Sequence, residues 1–275
     1  MKDYLTVIGA GLAGSEAAWQ AAERGVQVVL YEMRPVSRTP VHKTDQCAEL
    51  VCSNSLGNNL PHSAPFILKE ELRSFKSIVI ASGDKNSVPA GSALAVDRDL
   101  FSKEITEKLS NHPNITFKRE EVIEIPQEGP VIIATGPLTS PRLSEQISKL
   151  IGQEYLYFYD ALSPIVNADS IDYDKAFFAS RYDKGDADYL NCPMNESQYY
   201  EFVRELKASA KVPFATFEKA IYFEGCMPIE ELAERGDRTL AFGPLKPVGL
   251  TDPKTGKMAH AVVQLRRENK ESSAY

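Results

Sequence analysis

The chain has 275 residues, of which 43% are hydrophobic and 25% are charged, and it carries a net charge of −7. This composition excludes wholesale disorder, and the excess of acidic residues argues against a general polyanion-binding protein. No apolar run approaches the roughly 20 residues of a transmembrane helix, and the opening MKDYLTVIGAG lacks the pattern of a signal peptide. We therefore expect a cytoplasmic protein with one large domain or two modest domains.

The N-terminal segment predicts a strand, a Gly-rich turn, a helix and a second strand. Apolar runs over 4–8 and 26–31 indicate the two strands, and residues 15–23 place small side chains along the packing side of the predicted helix. Gly25 stands where a glycine commonly ends a helix. This order of elements is typical of the first part of a Rossmann-type unit.

The turn carries the pattern Gly9-x-Gly11-x-x-Gly14, and the acid Glu32 ends the second strand. In a dinucleotide-binding turn, the first glycine permits the tight bend, the second lets the backbone approach a pyrophosphate, and the third lets helix and strand pack closely. The helix N-terminus favours the phosphates, and the acid accepts hydrogen bonds from a ribose. The alternative is a Gly-rich turn without a ligand, which the agreement of the whole unit disfavours.

Two features favour FAD over NAD as the dinucleotide. The pattern lies at the very N-terminus, as is common in flavoproteins, and a predicted strand over 130–134 runs into Ala134-Thr135-Gly136. This segment resembles the Ala-Thr-Gly segment that returns the chain to the cofactor in the glutathione-reductase-like FAD fold. The predicted cofactor-binding residues are Gly9, Ala10, Gly11, Leu12, Ala13, Gly14, Glu32, Arg34, Ala134, Thr135 and Gly136.

The middle of the chain begins with a predicted long loop over 34–66, rich in Pro, Asn and Ser, and loops of this length are commonly functional. Apolar residues at helical spacing predict a helix over 65–80, and they are Phe66, Leu68, Leu72 and Phe75. The other predicted elements are a helix over 99–109 and strands over 115–117, 122–125 and 130–134.

The pattern changes near residue 150. Beyond it we predict strands over 155–159, 177–182 and 220–223 and a helix over 197–208. The predicted fold class is therefore α/β, with a glutathione-reductase-like, Rossmann-type FAD-binding domain over 1–150. An α+β insertion domain is predicted over 151–275.

The side chains with possible chemistry include four cysteines, Cys47, Cys52, Cys192 and Cys226. No CxxC pair is present and the four histidines lack ligand spacing, so that we predict no metal site. Cys52 lies in the long loop, from which it can reach the flavin side of the site, and Cys226 lies in a predicted fixed, exposed turn. A lone cysteine is more often an inert core residue than a nucleophile, and both interpretations stay open at this point.

Several separated motifs resemble those of the FAD- and folate-dependent tRNA uracil-C5-methyltransferases. They are GAGLAGSEAAW, YEMRP, AELVCSNS, ALAVDRDLFS, ATGPLTS, FEGCMPIEELAERG and FGPLKPVGLTDPKTG. Their order and spacing are similar to those of the family along essentially all 275 residues. The related flavoprotein that modifies wobble uridines shares the opening motif, but the later motifs resemble the methyltransferase.

The resemblance implies a specific reaction. The family transfers a one-carbon unit from methylenetetrahydrofolate to C5 of the T-loop uridine in tRNA, with electrons from reduced FAD, and NAD(P)H reduces the flavin. Uracil C5 is a poor nucleophile, and thiolate addition at C6 makes it able to attack an electrophilic methylene group. The resemblance assigns this thiolate to Cys226, in a Gly-Cys-x-Pro motif, and places Cys52, in a Cys-Ser-Asn motif, beside the flavin as a base or a covalent partner.

The implied partner, tRNA, draws attention to a basic segment of the acidic chain. Residues 236–275 carry seven Lys or Arg and four Asp or Glu, a local charge of +3. The target base is buried in a folded loop and must be extruded, so that stacking on aromatic side chains would help to hold it. Lys246, Arg266 and Arg267 are candidate phosphate contacts, although a plain solvated surface explains any one of them about as well.

The chain also departs from the family pattern, because members continue well past the segment matched by residues 262–269. We expect this chain to be truncated at the C-terminus, able to hold the adenine and pyrophosphate end of FAD while the flavin ring stays unsupported. One alternative function is a flavin oxidoreductase without methyl transfer, which would need FAD but not Cys226. Another is an inactive fragment that binds tRNA without stable flavin. The sequence leaves the oligomeric state open.

Overall fold

The computed structural model describes residues 4–39, 41–152, 164–183, 186–210 and 227–275. The chain divides into two compact units, the first formed by residues 1–87 and 94–163 and the second by residues 88–93 and 164–275. The predicted strands over 155–159 and 220–223 lie outside the described residues. The domain boundary near residue 150 likewise stays a prediction.

The strands and the helices are each numbered in chain order. The strands are β1 (Tyr4–Ile8), β2 (Gln27–Glu32), β3 (Ser55–Asn58), β4 (Ser87–Val88), β5 (Ala93–Val96), β6 (Ile115–Arg119), β7 (Val131–Ile133), β8 (Phe177–Ala179), β9 (Tyr189–Met194) and β10 (Ala261–Arg266). The α-helices are α1 (Leu12–Glu23), α2 (Ala64–Ser74), α3 (Ile78–Lys85), α4 (Arg98–Ser110), α5 (Pro141–Ile151), α6 (Glu196–Ala208), α7 (Ile229–Glu234) and α8 (Thr239–Phe242). Short 3₁₀ turns occupy Gly136–Leu138, Ala168–Ser170 and Arg181–Asp183.

The first unit is built on a four-stranded parallel sheet in the order β6-β2-β1-β7. Counted along the chain within this sheet, the order is third, second, first and fourth strand, which is the order of a Rossmann-type half. Alternate residues of β2, Val28 and Leu30, are fully buried in the core that the sheet forms with α1 and α4. The predicted α/β class and parallel sheet are confirmed.

Helix α1 packs closely on this sheet because its inward side chains are small. Ala18 and Ala22 are buried, and they belong to the same core as Val7 of β1. The helix ends at Glu23 with Arg24 as its C-cap, and Gly25 follows with a φ of +82°, a conformation that glycine adopts without strain. The predicted helix and its glycine terminator are therefore confirmed, and the helix begins three residues earlier than predicted, at Leu12.

The connection from β2 to β6 differs from the predicted loop and single helix. It includes a small sheet in the order β3-β5-β4, whose strand β3 lies inside the predicted loop. The predicted helix over 65–80 is two helices, α2 and α3, because Lys76 between them has a φ of +56°. The Ser77 side chain then accepts a hydrogen bond from the Ile80 N–H and starts α3 as a new helix.

One predicted strand is absent and another is shorter than predicted. Residues 122–125 form no strand, and they belong to an irregular connection between β6 and β7. The strand predicted over 177–182 ends at Ala179, because the chain turns at Arg181–Asp183, where Tyr182 has a φ of 60°. An apolar alternation in the sequence alone cannot predict that residues 122–125 form no strand or that β8 ends at Ala179.

The second unit combines an antiparallel sheet, in the order β10-β9-β8, with helices, as an α+β unit does. Its core surrounds the fully buried Tyr199 of α6 and includes Leu240 of α8 and Ala261 of β10. Helix α6 starts with a capping box, in which Oδ1 of Asn195 accepts from the Gln198 N–H and Oε1 of Gln198 accepts from the Asn195 N–H. The predicted helix over 197–208 is confirmed.

Candidate functional site

A groove lies at the carboxyl ends of β1 and β2, where the Gly-rich turn meets the segment after β7. It holds about 560 Å³ of empty space, part of which is open solvent. The predicted cofactor residues that line it are Gly9, Gly11, Glu32, Arg34, Ala134 and Thr135. The other predicted residues do not line the groove: Ala10 lies in the Gly-rich turn, Leu12, Ala13 and Gly14 lie in the first turn of α1, and Gly136 begins the 3₁₀ turn after β7.

Two of the three glycines are required by packing inside the turn. A Cβ on Gly14 would lie 1.8 Å from the carbonyl oxygen of Gly9, so that only a glycine lets α1 approach the end of β1 this closely. Gly9 itself has a φ of +95°, and a Cβ there would lie 2.8 Å from the Ala134 carbonyl oxygen. The Gly-rich turn and the segment after β7 therefore touch through backbone atoms.

Gly11 has a different role, because a Cβ on it would meet no atom within 4 Å. Its backbone lines the groove, and it is the N-cap of α1 without a side chain to cap the helix. The first N–H groups of an α-helix have no acceptor within the helix, and anions bind at such termini. The residues present therefore fit a dinucleotide whose phosphates approach Gly11 and the first turn of α1.

Glu32 lies at the groove with its carboxylate in a network of donors. Its Oε2 accepts a hydrogen bond from the Ala10 N–H at 3.0 Å, and its Oε1 accepts from Nε of Arg34 at 2.8 Å. Burial alone would raise the pKa of Glu32, but the hydrogen bonds and charge of Arg34 and the Ala10 N–H together hold it below its ordinary value. The carboxylate is thus an ionised acceptor, and Oε2 has capacity for a further donor such as a ribose hydroxyl.

Arg34 is fixed by protein groups on both sides. Its guanidinium also donates to Oε2 of Glu49 at 2.8 Å and to the Thr44 carbonyl at 3.2 Å, and its side chain is only 2% exposed. Arg34 thereby ties the loop after β2 to Glu32. A direct contact between Arg34 and a cofactor stays a prediction, whereas its role in holding Glu32 is visible.

The Ala-Thr-Gly segment follows β7 beside the Gly-rich turn. The Ala134 N–H donates to the Ile8 carbonyl at 2.8 Å and so continues the pairing of β7 with β1. The Thr135 and Thr139 hydroxyls lie 2.6 Å apart, and Thr139 donates to the Gly136 carbonyl. This network shapes the far wall of the groove.

The two predicted catalytic cysteines are not both described. Cys52 is half-buried, two residues before Asn54, whose side chain donates to the Val96 carbonyl at 3.1 Å. Cys52 does not line the groove. Cys226 lies outside the described residues, so that its distance from Cys52 and its role stay predictions.

The other described cysteines have the properties of core residues. Burial raises the pKa of the Cys47 thiol to about 11 and also raises that of Cys192. No disulfide links the cysteines within the described ranges. Neither thiol is therefore suited to act as a thiolate near neutral pH.

The candidate phosphate contacts belong to the second unit. Lys246 is exposed, whereas Arg266 and Arg267 are half-buried at the end of β10. The Arg267 guanidinium lies 5.9 Å from the centre of the Phe178 ring, a cation–π distance. Lys246 is consequently the most accessible of the three.

A family model described as glucose inhibited division protein A (GIDA) matches residues 4–275. The chain belongs to this family. Among the similar curated proteins are three named methylenetetrahydrofolate–tRNA-(uracil-5-)-methyltransferase TrmFO. The protein of Halalkalibacterium halodurans is 59% identical over 99% of this chain, that of Exiguobacterium sp. is 60% identical over 100%, and that of Heliobacterium modesticaldum is 60% identical over 98%. The chain spans only 62% or 63% of the length of these relatives.

Solved structures support the fold of this GIDA-family chain. Aquifex aeolicus GidA in the form I crystal has a TM-score of 0.57 at 15% identity, covering 99% of this chain and 57% of that one. The form II crystal gives a TM-score of 0.52 at 14% identity over 74% of this chain and 42% of that one. At this identity the likeness concerns the fold alone.

Part of the groove of this GIDA-family chain is formed by residues that no motif predicted. Glu120, Glu121 and Val122 follow β6, and Leu143 lies on α5, and all four line the groove. The carboxyl ends of neighbouring parallel strands meet at one edge of a sheet, which was a usable signal for the residues after β6. The wrong strand prediction over 122–125 obscured it.

No described group of three or more His, Cys, Asp or Glu is placed to hold a metal ion. Among the described helices, none has the length and apolar character needed to cross a bilayer.

Proposed function

We propose that this chain is part of an FAD- and folate-dependent tRNA (uracil-5-)-methyltransferase. The observation that carries the proposal is identity of 58% to 60% with proteins of that name over 98% to 100% of the chain. The proposed substrates are the T-loop uridine of tRNA and methylenetetrahydrofolate, with NAD(P)H as reductant. We also propose a cytoplasmic location. Because the chain spans less than two thirds of its relatives, the activity is proposed for the whole protein.

The groove of the first unit is the proposed site for the adenosine and pyrophosphate part of FAD. The backbone of Gly11 and the first turn of α1 would hold the phosphates, and Glu32 would accept hydrogen bonds from the ribose. When bound, FAD supplies the electrons that convert the transferred methylene group into methyl. The chain's own part in this half of the site is to bind and orient.

The proposed covalent chemistry belongs to the cysteines of the two motifs. The Cys226 thiolate would add to C6 of the target uracil, which makes C5 nucleophilic toward the methylene group. A base would then remove the C5 proton, so that the C5–C6 double bond re-forms and the thiolate leaves. Cys52 would act beside the flavin, as a base or as a covalent partner. Both assignments rest on the motifs that surround these residues.

The first test measures cofactor binding. The purified chain is titrated with FAD, and the visible absorbance of the bound flavin gives the stoichiometry. We expect wild-type chain to bind FAD and Gly11→Val to lose most of that binding at unchanged Tm, because the new side chain would project into the groove. Thr116→Val, on the exposed side of β6, is the matched control. A wild-type chain without FAD, even after addition of the cofactor, would favour the inactive tRNA-binding fragment.

The second test separates the methyltransferase from a flavin oxidoreductase. Folate-dependent methylation of tRNA and oxidation of NAD(P)H are assayed with the whole protein, as wild type and as Cys226→Ala. We expect Cys226→Ala to abolish methylation while NAD(P)H oxidation continues. Full methylation by Cys226→Ala would contradict the nucleophile assignment, and NAD(P)H oxidation without methylation by wild type would favour the oxidoreductase.

A further inference from the structure

The turn after β8 exposes a tyrosine in a conformation that tyrosine rarely adopts. Tyr182 has φ 60° and ψ 25°, and the next residue, Asp183, has a φ of 51°. Left-handed backbone favours glycine, asparagine and aspartate, and it is an outlier for a bulky side chain. Tyr182 is nonetheless 61% exposed. A strained position that displays a large aromatic ring to solvent indicates a functional contact.

The strained turn is held by contacts on both of its sides. Arg181 donates from Nε to Oε1 of Gln264 and from Nη1 to the Val248 carbonyl, each at 2.8 Å. The Tyr182 N–H donates to the Gly249 carbonyl at 2.7 Å. These bonds fix the backbone of Tyr182 against the loop that precedes β10.

Gly249 gives the ring a flat support. A Cβ on Gly249 would lie 3.0 Å from three carbon atoms of the Tyr182 ring, so that the ring rests directly on the glycine backbone. Gly249 also has a φ of +81°, which suits glycine. The glycine thus orients the ring while most of the side chain stays open to solvent.

Gly249 lies in a basic segment of the chain. Gly249 belongs to residues 236–275, whose local charge is +3, and the exposed Lys246 precedes it by three residues. Folding therefore brings Tyr182 from a distant part of the sequence to this segment. An exposed, oriented aromatic ring in a basic setting is the arrangement that stacks unpaired bases and contacts their phosphates.

We propose that Tyr182, supported by Gly249, is a stacking platform for an unpaired nucleobase of RNA, with Lys246 as a phosphate contact. The proposal rests on the proposed function, because it assigns a contact for the tRNA substrate. It concerns recognition of the RNA and is separate from the cofactor groove.

The test compares variants that share the backbone strain and differ in the ring. Binding of the 275-residue chain to a labelled T-arm stem–loop RNA is measured by fluorescence anisotropy over a salt series. We expect Tyr182→Phe to bind within about twofold of wild type and Tyr182→Leu to bind roughly tenfold more weakly, at equal Tm. Lys246→Ala should lower the slope of log K against log salt by about one.

Two further variants separate recognition from folding. Tyr182→Gly removes the unfavourable backbone conformation, so that its Tm should equal or exceed that of wild type while RNA binding falls as in Tyr182→Leu. Phe75→Ala is the matched control, since Phe75 is 62% exposed, much as Tyr182 is, and belongs to the first unit. We expect the control to bind RNA as wild type does.

Three outcomes would overturn the platform. Equal RNA binding by wild type and Tyr182→Leu would reject it while leaving the tRNA methyltransferase intact. A Tm of Tyr182→Gly well below that of wild type would show that the ring is a structural cover. Absence of RNA binding by wild type would reject the platform together with tRNA as the partner of this chain.

Discussion

The carboxylate of Glu32 joins three parts of the first unit at one point. It accepts from the Gly-rich turn through Ala10 and from Arg34, which in turn contacts Glu49 of the following loop. Arg34 is the single positive charge between two nearly buried carboxylates, whose side chains are 7% and 11% exposed. A buried charge that loses its partner costs far more than the pair contributes, because the remaining charge stays desolvated.

We therefore expect Arg34→Met to lower the free energy of unfolding by about 3 to 5 kcal/mol. Urea unfolding followed by circular dichroism measures this change. The control is Arg38→Met, whose ion pair with Asp45 has side chains 46% and 48% exposed, and it should cost less than about 1 kcal/mol. Equal effects of the two substitutions would contradict the central position of Arg34.

The pKa of Glu32 also predicts a pH dependence. Its folded-state pKa lies below the ordinary value of 4.5, so that the ionised network stabilises the fold above pH 4.5 and this contribution is lost as the pH falls through the folded-state pKa. The stability difference between wild type and Glu32→Gln should thus be constant near neutral pH and shrink in acid. Urea unfolding at a series of pH values measures it, with the exposed Glu71→Gln as control. A difference that does not change with pH would show that Glu32 is not the titrating group.

At the scale of elements, α1 can pack against the end of β1 only because Gly14 has no side chain. Gly14→Ala would place a Cβ 1.8 Å from the Gly9 carbonyl oxygen, which forces α1 away from the sheet. We expect a loss of about 3 kcal/mol in the free energy of unfolding. Gly11→Ala, whose Cβ meets no atom within 4 Å, should change it by less than about 0.5 kcal/mol. Thermal unfolding of both variants tests the distinction, and a stable Gly14→Ala would contradict it.

The sequence predicted the elements of the first Rossmann half well because their signals are local. Strand β1, helix α1 and strand β2 each carry their own apolar pattern, and Gly25 ends the helix as expected. Helix α2 shows the limit of such signals. Its Leu68 is 56% exposed and the adjoining Phe75 is 62% exposed, whereas Lys69 is buried. Lys69 points inward because its Nζ donates to the Leu56 and Asn58 carbonyls of β3, a tertiary contact that periodicity cannot show.

The residues of the groove also divide into those with a local sequence signal and those placed by tertiary contacts. The pattern of Gly9, Gly11 and Glu32 carries a spacing that the sequence displays, and the structure brings these residues together. Val122 lines the groove because of the path that the chain takes after β6. The contacts of Arg34 depend on the conformation of the loop after β2, which no sequence pattern predicts. The positions of irregular segments relative to the sheet were thus the part of the groove that could not be predicted from the sequence.

At the scale of the molecule, every residue that lines the groove belongs to the first of the two compact units. A ligand that binds the folded groove stabilises that unit by roughly 2.7 kcal/mol at a free concentration of 100 times its Kd. Hydrogen exchange with and without FAD should therefore slow in β1, α1 and β2. Exchange in α6, around the buried Tyr199, serves as the internal control and should not change. Equal slowing in both units would show that they unfold as one.

The double use of Glu32 has a consequence for cofactor redesign. In a dinucleotide-binding unit the acid after the second strand meets the ribose 2′-hydroxyl, so that it is the first residue to replace when the nucleotide preference is to be changed. Here the same carboxylate also receives the Ala10 N–H of the turn and the Arg34 side chain. A single replacement would therefore disturb the turn that forms the proposed phosphate site. A change of nucleotide preference in a protein with this network would require simultaneous replacement of Glu32, Arg34 and the loop that carries Glu49.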